Sequence, residues 1–80
     1  MKFAYPAIFI LDENGRYKVV FPDLEGCVAE GDNFEEALER AKEAEEAWIR
    51  VELEDSWELP GISHEADLEL PEGGFINTVA

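Results

Sequence analysis

The chain is short and strongly acidic. Its 80 residues include 20 Asp and Glu against six Lys and Arg, which gives a formal net charge of −14 at pH 7. So few basic residues cannot form the cationic surface that binds nucleic acid or an anionic membrane, which excludes both kinds of partner. Hydrophobic residues still make up 46% of the chain, so we expect one folded domain over residues 1–80 rather than a disordered acidic tail. A domain this small is marginally stable alone, which favours oligomerisation.

The apolar start of the chain is predicted to be a strand. Met1-Lys2 and the run 3–11 imitate the beginning of a signal peptide, but Pro6 interrupts the run and the acidic segment 12–15 stands where small residues mark cleavage. No apolar run approaches the roughly 20 residues of a membrane-spanning helix. We therefore predict a buried strand and a cytoplasmic protein.

The first half of the chain predicts three strands. Residues 3–11 and 16–21 are apolar runs separated by Asn14-Gly15, a strong hairpin signal because both residues tolerate positive φ. Both faces of the first run are apolar from residue 7 to 11, which indicates an inner strand or a face covered by a partner subunit. A breaker with Pro and Gly precedes a short third strand at 27–29.

A long amphipathic helix is predicted from Phe34 to about Leu53. Asn33 is a good N-cap, and Glu36 completes a pattern similar to a capping box. The predicted apolar stripe recurs at spacings of three and four and comprises Phe34, Ala37, Leu38, Ala41, Ala44, Trp48 and Val51.

Ile49 and Leu53 lie on the flank of this stripe, one turn apart. One interpretation is an oligomer contact in a homo-oligomer, a dimer or a tetramer. The other is that the loop after the helix folds back over them, with Trp57 and Leu59 as a lid. The sequence leaves both open.

The remainder of the chain predicts one further strand at 75–79. Leu68 and Leu70 alternate with acidic residues, which is consistent with a short edge strand within an otherwise irregular segment. The order β-β-β-α-β predicts an α+β fold, with a small antiparallel sheet and one long helix packed on one face.

Residues that carry chemistry are scarce. Cys27 and His64 occur once each, too few for a zinc site, and Ser63 beside His64 in a loop is a weak signal for nucleophilic catalysis. We predict no catalytic residue, no metal and no cofactor.

Carboxylates are the abundant polar groups, and residues 32–80 carry 12 of the 14 net negative charges. Asp23, Glu25, Glu30 and Asp32 flank the third strand and are candidates for binding a basic partner. The same four residues suggest a divalent-metal-dependent hydrolase if they converge, but exposed carboxylates are more often simply solvated.

The middle of the chain carries a string of residues at a specific spacing. It runs Tyr17-x-Val19-x-Phe21-Pro22-Asp23-Leu24-x-Gly26-Cys27, then Gly31-Asp32, then Glu35-Glu36-Ala37-Leu38-x-x-Ala41. This string resembles the signature of the HicB-like antitoxin family, closely over residues 3–55. Ala29 and Asn33 depart from it, since family members often have Thr at both positions.

The resemblance implies a partial ribonuclease-H-like fold and a role as the antidote to HicA, a small basic toxin that cleaves RNA. It does not imply nuclease activity, because that chemistry needs a carboxylate within the first strand. Many members carry a DNA-binding module after this domain, and a chain ending at Ala80 has no room for one, so we expect no autorepression by this polypeptide.

Three hypotheses follow from the sequence. The leading one is a non-enzymatic protein that neutralises a small basic RNA-cleaving toxin by charge complementarity and occlusion. The second is a stand-alone homo-oligomeric acidic domain without a toxin partner. The third is the metal-dependent hydrolase built on residues 23–32.

Overall fold

The computed structural model of the protein describes residues 4–55, 59–64 and 67–79. These residues form a four-stranded antiparallel sheet of order β3-β2-β1-β4 and one helix that packs on one face of it. The elements are β1 (Tyr5–Leu11), β2 (Tyr17–Val20), β3 (Val28–Gly31), α1 (Phe34–Asp55) and β4 (Gly74–Val79). The predicted α+β fold with the order β-β-β-α-β is confirmed.

The position of β1 agrees with its sequence. It pairs with β2 on one side and with β4 on the other, so the inner strand predicted from its two apolar faces is confirmed. The short strand suggested by Leu68 and Leu70 is wrong, because residues 68–70 form no strand and β4 takes the place next to β1. Two leucines supply too little apolar area to hold another edge strand.

The hairpin between β1 and β2 forms, but not as a tight two-residue turn. Leu11 pairs with Tyr17, and of Asn14 and Gly15 only the glycine has a positive φ, +82°. The turn is stabilised by the side chain of Asp12 and not by that of Asn14. Asp12 Oδ1 accepts hydrogen bonds from the backbone N–H of Asn14 (2.8 Å) and of Arg16 (3.0 Å).

Helix α1 begins as predicted. The Glu36 N–H donates to Asn33 Oδ1 at 2.8 Å, and Glu36 Oε1 accepts from the Asp32 N–H at 3.3 Å. The Glu36 side chain therefore bonds to the residue before the N-cap Asn33. Together the side chains of Asn33 and Glu36 satisfy two backbone N–H donors at the start of the helix. Within the described part of the chain, no helix is long and apolar enough to cross a membrane.

The hydrophobic core lies between α1 and the sheet face that carries Phe9 and Val19. Phe9 is its centre, with ring centroids 5.1 Å from Phe34 and 5.5 Å from Phe75. The aromatic rings thus join the start of the helix to the inner strand and to the edge strand β4.

The apolar stripe of α1 differs in phase from the prediction near its end. Val51, predicted to be inside, is 58% exposed, whereas Ile49 is 4% exposed and belongs to the core. The prediction of Ile49 as a subunit contact is therefore wrong, because spacings of four from Ala37 through Ala41 bring residue 49 to the buried side.

The segment after the helix returns to the hydrophobic core that contains Ile49. Leu59 packs against the core cluster, as the lid interpretation predicts, while Trp57 lies outside the described residues. Leu53 remains exposed.

Helix α1 and strand β3 approach closely at a glycine. A Cβ atom at Gly31 would lie 2.5 Å from the backbone nitrogen of Ala37 and 2.8 Å from its Cα, well inside van der Waals contact. Small residues on both elements therefore permit the packing that holds the helix on the sheet.

We predict that Gly31→Ala lowers the free energy of unfolding by about 2–3 kcal/mol, because the added methyl group pushes backbone against backbone. Gly61→Ala is the matched control, since a Cβ there meets nothing within 4 Å, and we expect a change below about 0.5 kcal/mol. Urea denaturation of both variants measures the difference. Equal stabilities would contradict the close approach.

Candidate partner-binding surface

The four carboxylates proposed from the sequence do not form one cluster. Asp23 and Glu25 precede β3 and Asp32 follows it, so a strand about 10 Å long separates the two ends. Among residues 4–55, 59–64 and 67–79, no group of three or more His, Cys, Asp and Glu side chains is placed to hold a metal ion. The convergence of these carboxylates that the hydrolase hypothesis needs is therefore not found in the described part of the chain.

Asp23 has a structural role. Its half-buried carboxylate accepts hydrogen bonds from the Ser63 backbone N–H, at 2.8 Å, and from the Ser63 hydroxyl. Asp23 thus fastens segment 59–64 to the turn after β2. The Ser63 hydroxyl is engaged in this tether rather than directed at His64, which is exposed.

Asp32 is exposed and lies in an ion pair. Its Oδ1 is 2.8 Å from Arg16 Nε, and the side chain is 70% exposed. The pair links the β1–β2 turn to the start of α1 and offsets part of the negative charge there. Exposed pairs of this kind contribute at most about 1 kcal/mol.

Glu25 and Glu30 are exposed as well, Glu25 before the edge strand β3 and Glu30 within it. The backbone oxygen of Glu25 accepts a hydrogen bond from Trp48 Nε1 at 2.8 Å, which fixes the β2–β3 turn against the helix. Glu30 lies across the ladder from Lys18. Both carboxylates stand where a partner approaching β3 would meet them.

A groove runs between β3 and α1, and we call it the β3–α1 groove. One part, of about 610 Å³, is lined by Lys18, Val28, Ala29, Glu30, Arg40, Glu43 and Ala44. A shallower part, of about 340 Å³, is lined by Gly26, Cys27, Val28, Ala44, Ala47, Trp48, Val51 and Glu52.

The groove combines an apolar floor with a charged rim. Val28 and Ala44 line both parts, and Glu30 and Glu43 stand exposed at the rim. The sequence analysis missed this groove. The sequence feature that indicates the groove is the series of alanines on α1 that faces the four-residue edge strand β3. Small side chains leave room between two packed elements.

Sequence analysis also missed the buried acid Glu45. It is 2% exposed, and its Oε2 has no hydrogen-bond partner among the residues that the structure describes. Burial is the largest cause that raises the pKa of this carboxyl from 4.5 to about 7. A hydrogen bond from the Tyr5 backbone opposes this rise of the pKa, and the negative charge of the neighbouring Glu46 adds to it. The sequence does indicate this burial, because residues 37, 41, 45 and 49 recur every four positions and therefore lie on the same, buried side of the helix.

Other titratable groups border the same region. Burial, together with the negative charges of Asp23 and Glu45, raises the pKa of Tyr5, whose hydroxyl donates to the Pro60 oxygen at 2.6 Å. Burial, followed by the charge of Glu45, also raises the pKa of the Cys27 thiol. Burial therefore favours the neutral forms of all three groups.

The raised pKa of Glu45 makes stability depend on pH. Below about 4.5 the carboxyl is protonated in both states, and between about 4.5 and about 7 only the unfolded chain ionises, so stability falls as pH rises. The full loss is of the order of 3 kcal/mol above pH 7.

We predict that Glu45→Gln raises the free energy of unfolding by about 2–3 kcal/mol at pH 8 and by far less at pH 4.5, because the amide mimics the protonated acid. Chemical denaturation at both pH values measures this. Glu39→Gln removes the same charge from an exposed position of α1 that does not contribute to the pKa of Glu45, and it serves as the control. A pH-independent gain for Glu45→Gln would contradict the assignment.

Solved structures share the whole fold. The N-terminal domain of the Burkholderia pseudomallei antitoxin HicB superposes with a TM-score of 0.83 at 22% identity, covering 98% of this chain and 96% of that one. A chain of the HicA3 and HicB3 toxin-antitoxin complex gives a TM-score of 0.73 at 25% identity, with the same coverage.

Similar sequences come from a phage and an archaeon. A 14.9 kDa protein of the rep-hol intergenic region of Haemophilus phage HP1 is 46% identical over 56 residues, which are 70% of this chain and 41% of that protein. A UPF0150 protein of Archaeoglobus fulgidus is 41% identical over 51 residues, 64% of this chain and 71% of that protein. The chain thus spans less than half of the phage relative.

A family profile covers nearly all of the described chain. The profile for the HicB_like antitoxin of bacterial toxin-antitoxin system matches residues 5–77, from the first residue of β1 to within two residues of the end of β4. On this match, together with the shared fold, the protein belongs to the HicB-like antitoxin family.

Proposed function

We propose that this protein neutralises a small basic RNA-cleaving toxin by binding it at the β3–α1 groove. The observation that carries the proposal is an apolar groove with exposed carboxylates at its rim, in a member of an antitoxin family. A fold shared with a chain of a solved toxin-antitoxin complex supports it.

Charge supplies the first step of recognition. The chain carries a net charge of −14, and α1 exposes a series of carboxylates on its outer side, namely Glu35, Glu39, Glu43, Glu46 and Glu54. Such a field steers a cationic protein towards the helix and raises the association rate. Because the cationic surface of an RNA-cleaving protein also binds RNA, occupying it excludes the substrate.

The apolar floor supplies the second step. Val28 and Val51 are 55% and 58% exposed, and both line the groove beside Trp48. Apolar side chains of the partner gain free energy when they leave water here, which slows dissociation. The groove therefore suits a partner that is basic around an apolar centre.

The four acidic residues predicted from the sequence have two different roles in this proposal. Glu25 and Glu30 face the approach to β3 and contact the toxin directly. Asp23 and Asp32 act through their tethers to Ser63 and Arg16, which hold the surrounding turns. In this proposal the chain is a cytoplasmic binding protein and not an enzyme.

A stand-alone homo-oligomer remains the second candidate function. Val51 and Leu53 are large apolar side chains exposed on α1, and exposed apolar area favours self-association. Ile49 no longer contributes, because it is buried within the chain.

The test uses the product of the neighbouring reading frame, provided that it is a small basic protein. We expect Glu30→Lys/Glu43→Lys to weaken binding at least tenfold in surface plasmon resonance and to abolish growth rescue when both proteins are co-expressed. Reversing charge at the groove turns attraction into repulsion.

The matched control is Glu69→Lys/Glu72→Lys, which changes the net charge equally at exposed residues just before β4, on the opposite edge of the sheet from β3. We expect its affinity to stay within about threefold of the original, because a distant charge acts mainly through the screened overall field. Equal losses of affinity in both double variants, or an association rate that does not depend on salt concentration, would contradict the proposed surface.

A further inference from the structure

Strand β3 forms one edge of the sheet, and its register with β2 shows which backbone groups point outwards. The Phe21 N–H donates to the Cys27 oxygen at 3.2 Å, so these two residues form a hydrogen-bonded pair. Hydrogen-bonded and non-hydrogen-bonded pairs alternate along an antiparallel ladder. The backbone N–H and C=O groups of Val28 and Glu30 therefore point away from β2, towards the outer edge.

This outer edge of β3 is open. The four outward groups have no backbone partner among the residues that the structure describes, and Val28 and Glu30 are both exposed. Proteins commonly protect an open edge with proline, lysine or a bulge. Strand β3 contains neither proline nor lysine, and its pairing with β2 is continuous. Its one protecting charge is the carboxylate of Glu30.

The β3–α1 groove runs along this edge. Ala29 packs against the core on the α1 side of the sheet, whereas Val28 and Glu30 face the opposite side because side chains alternate along a strand. All three residues nevertheless line the same cavity of about 610 Å³. A cavity that reaches both faces of a strand has the backbone edge of that strand in its wall. The groove therefore offers backbone hydrogen bonds as well as side-chain contacts.

An extended segment fits the shape of this edge. Alternate side chains of such a segment point towards α1, where Ala44, Ala47 and Val51 line the groove and the small alanines leave room. The remaining side chains lie beside Val28 and Glu30. When a strand is added to a sheet edge, main-chain hydrogen bonds supply affinity, and pockets for alternate side chains supply specificity.

Charge favours a basic segment over a second copy of this chain. The charged side chains that line the groove are Lys18, Glu30, Arg40, Glu43 and Glu52. Arg40 Nε lies 3.6 Å from Glu36 Oε1, so one of the two cations is already paired and carboxylates are in excess. Pairing β3 with its own copy brings the Glu30 side chains of two chains of net charge −14 together, which is repulsive.

We propose that an extended segment of the basic partner pairs with the outer edge of β3 and continues the sheet as a fifth strand. The segment alternates apolar side chains, on the α1 side, with basic side chains near Glu30. This inference rests on the proposed function, because it specifies how the partner occupies the same groove.

Amide hydrogen exchange of the ¹⁵N-labelled protein, followed by NMR, tests the pairing directly. We expect the Val28 and Glu30 amides to exchange roughly 100-fold more slowly when the unlabelled basic protein encoded beside this one is bound, because both N–H groups then donate to the added strand.

The opposite edge of the sheet supplies the internal control for the exchange measurement. The Leu11 N–H donates to the Gly73 oxygen, so the same alternation directs the Ile76 and Thr78 N–H groups outwards from β4. We expect the exchange rates of these two amides to stay at their values in the free protein.

A proline variant tests the same pairing through affinity. Glu30→Pro removes one outward N–H and places a ring on the edge, which edge strands tolerate, whereas Glu30→Gln removes the same charge and keeps the N–H. We expect Glu30→Pro to bind the basic protein about tenfold more weakly than Glu30→Gln does in surface plasmon resonance.

Thr78→Pro is the matched control, since it removes an outward N–H from the opposite edge strand. We expect its affinity to stay within about threefold of the original, because distant sites act independently. Far-UV circular dichroism checks that each variant folds, and if Glu30→Pro does not fold, the exchange rates of the wild-type protein decide.

The possible failures can be told apart. If the charge reversals at the groove weaken binding but the Val28 and Glu30 amides keep their free exchange rates in the complex, the added strand is overturned and the proposed function stands. A basic protein that does not bind at all overturns both. Slow exchange of the same two amides without the partner, increasing with protein concentration, identifies a second copy as the occupant and overturns this inference.

Discussion

The close packing of α1 on one face of the sheet is the constraint on which the other features depend. A Cβ at Gly31 would collide with the backbone of Ala37, so the helix lies as near to β3 as two backbones allow. This approach places Glu45 among core side chains and leaves a narrow groove along the rest of β3. It also commits the only helix of the described chain to one face of the sheet.

A net charge of −14 on 80 residues is not spread evenly over the surface. The outer side of α1 and the rim of the β3–α1 groove collect exposed carboxylates, which favour a cationic partner and repel a second copy. Lys18 lies across the ladder from Glu30 and offsets part of this negative charge at β3.

The fold was largely predictable because local signals and burial agreed. The apolar faces of β1 correctly placed it inside the sheet, and Asn33 correctly marked the start of α1. The phase of the helix at Ile49 and Val51 was not predicted. A stripe read over 20 residues accumulates a rotational error, and both residues are apolar, so hydrophobicity could not correct it.

The site was less predictable than the fold. The carboxylates around β3 were identified, but their separation along the strand and the tethers of Asp23 and Asp32 depend on tertiary contacts. Glu45 was overlooked because an acid in an apolar stripe contradicts the usual pattern. The β3–α1 groove depends on how two elements pack, which no local sequence signal reports directly.

The central claim is that a basic protein binds at the β3–α1 groove and not at the opposite edge of the sheet. Two-dimensional ¹⁵N–¹H NMR of the labelled protein, titrated with the unlabelled basic protein encoded beside it, tests this most directly. The account predicts shifts at Val28, Glu30, Glu43 and Ala44, which line the groove, while Glu69 and Glu72, before the opposite edge strand β4, stay unchanged in the same titration. Shifts centred on Glu69 and Glu72, with the groove residues unaffected, would contradict it.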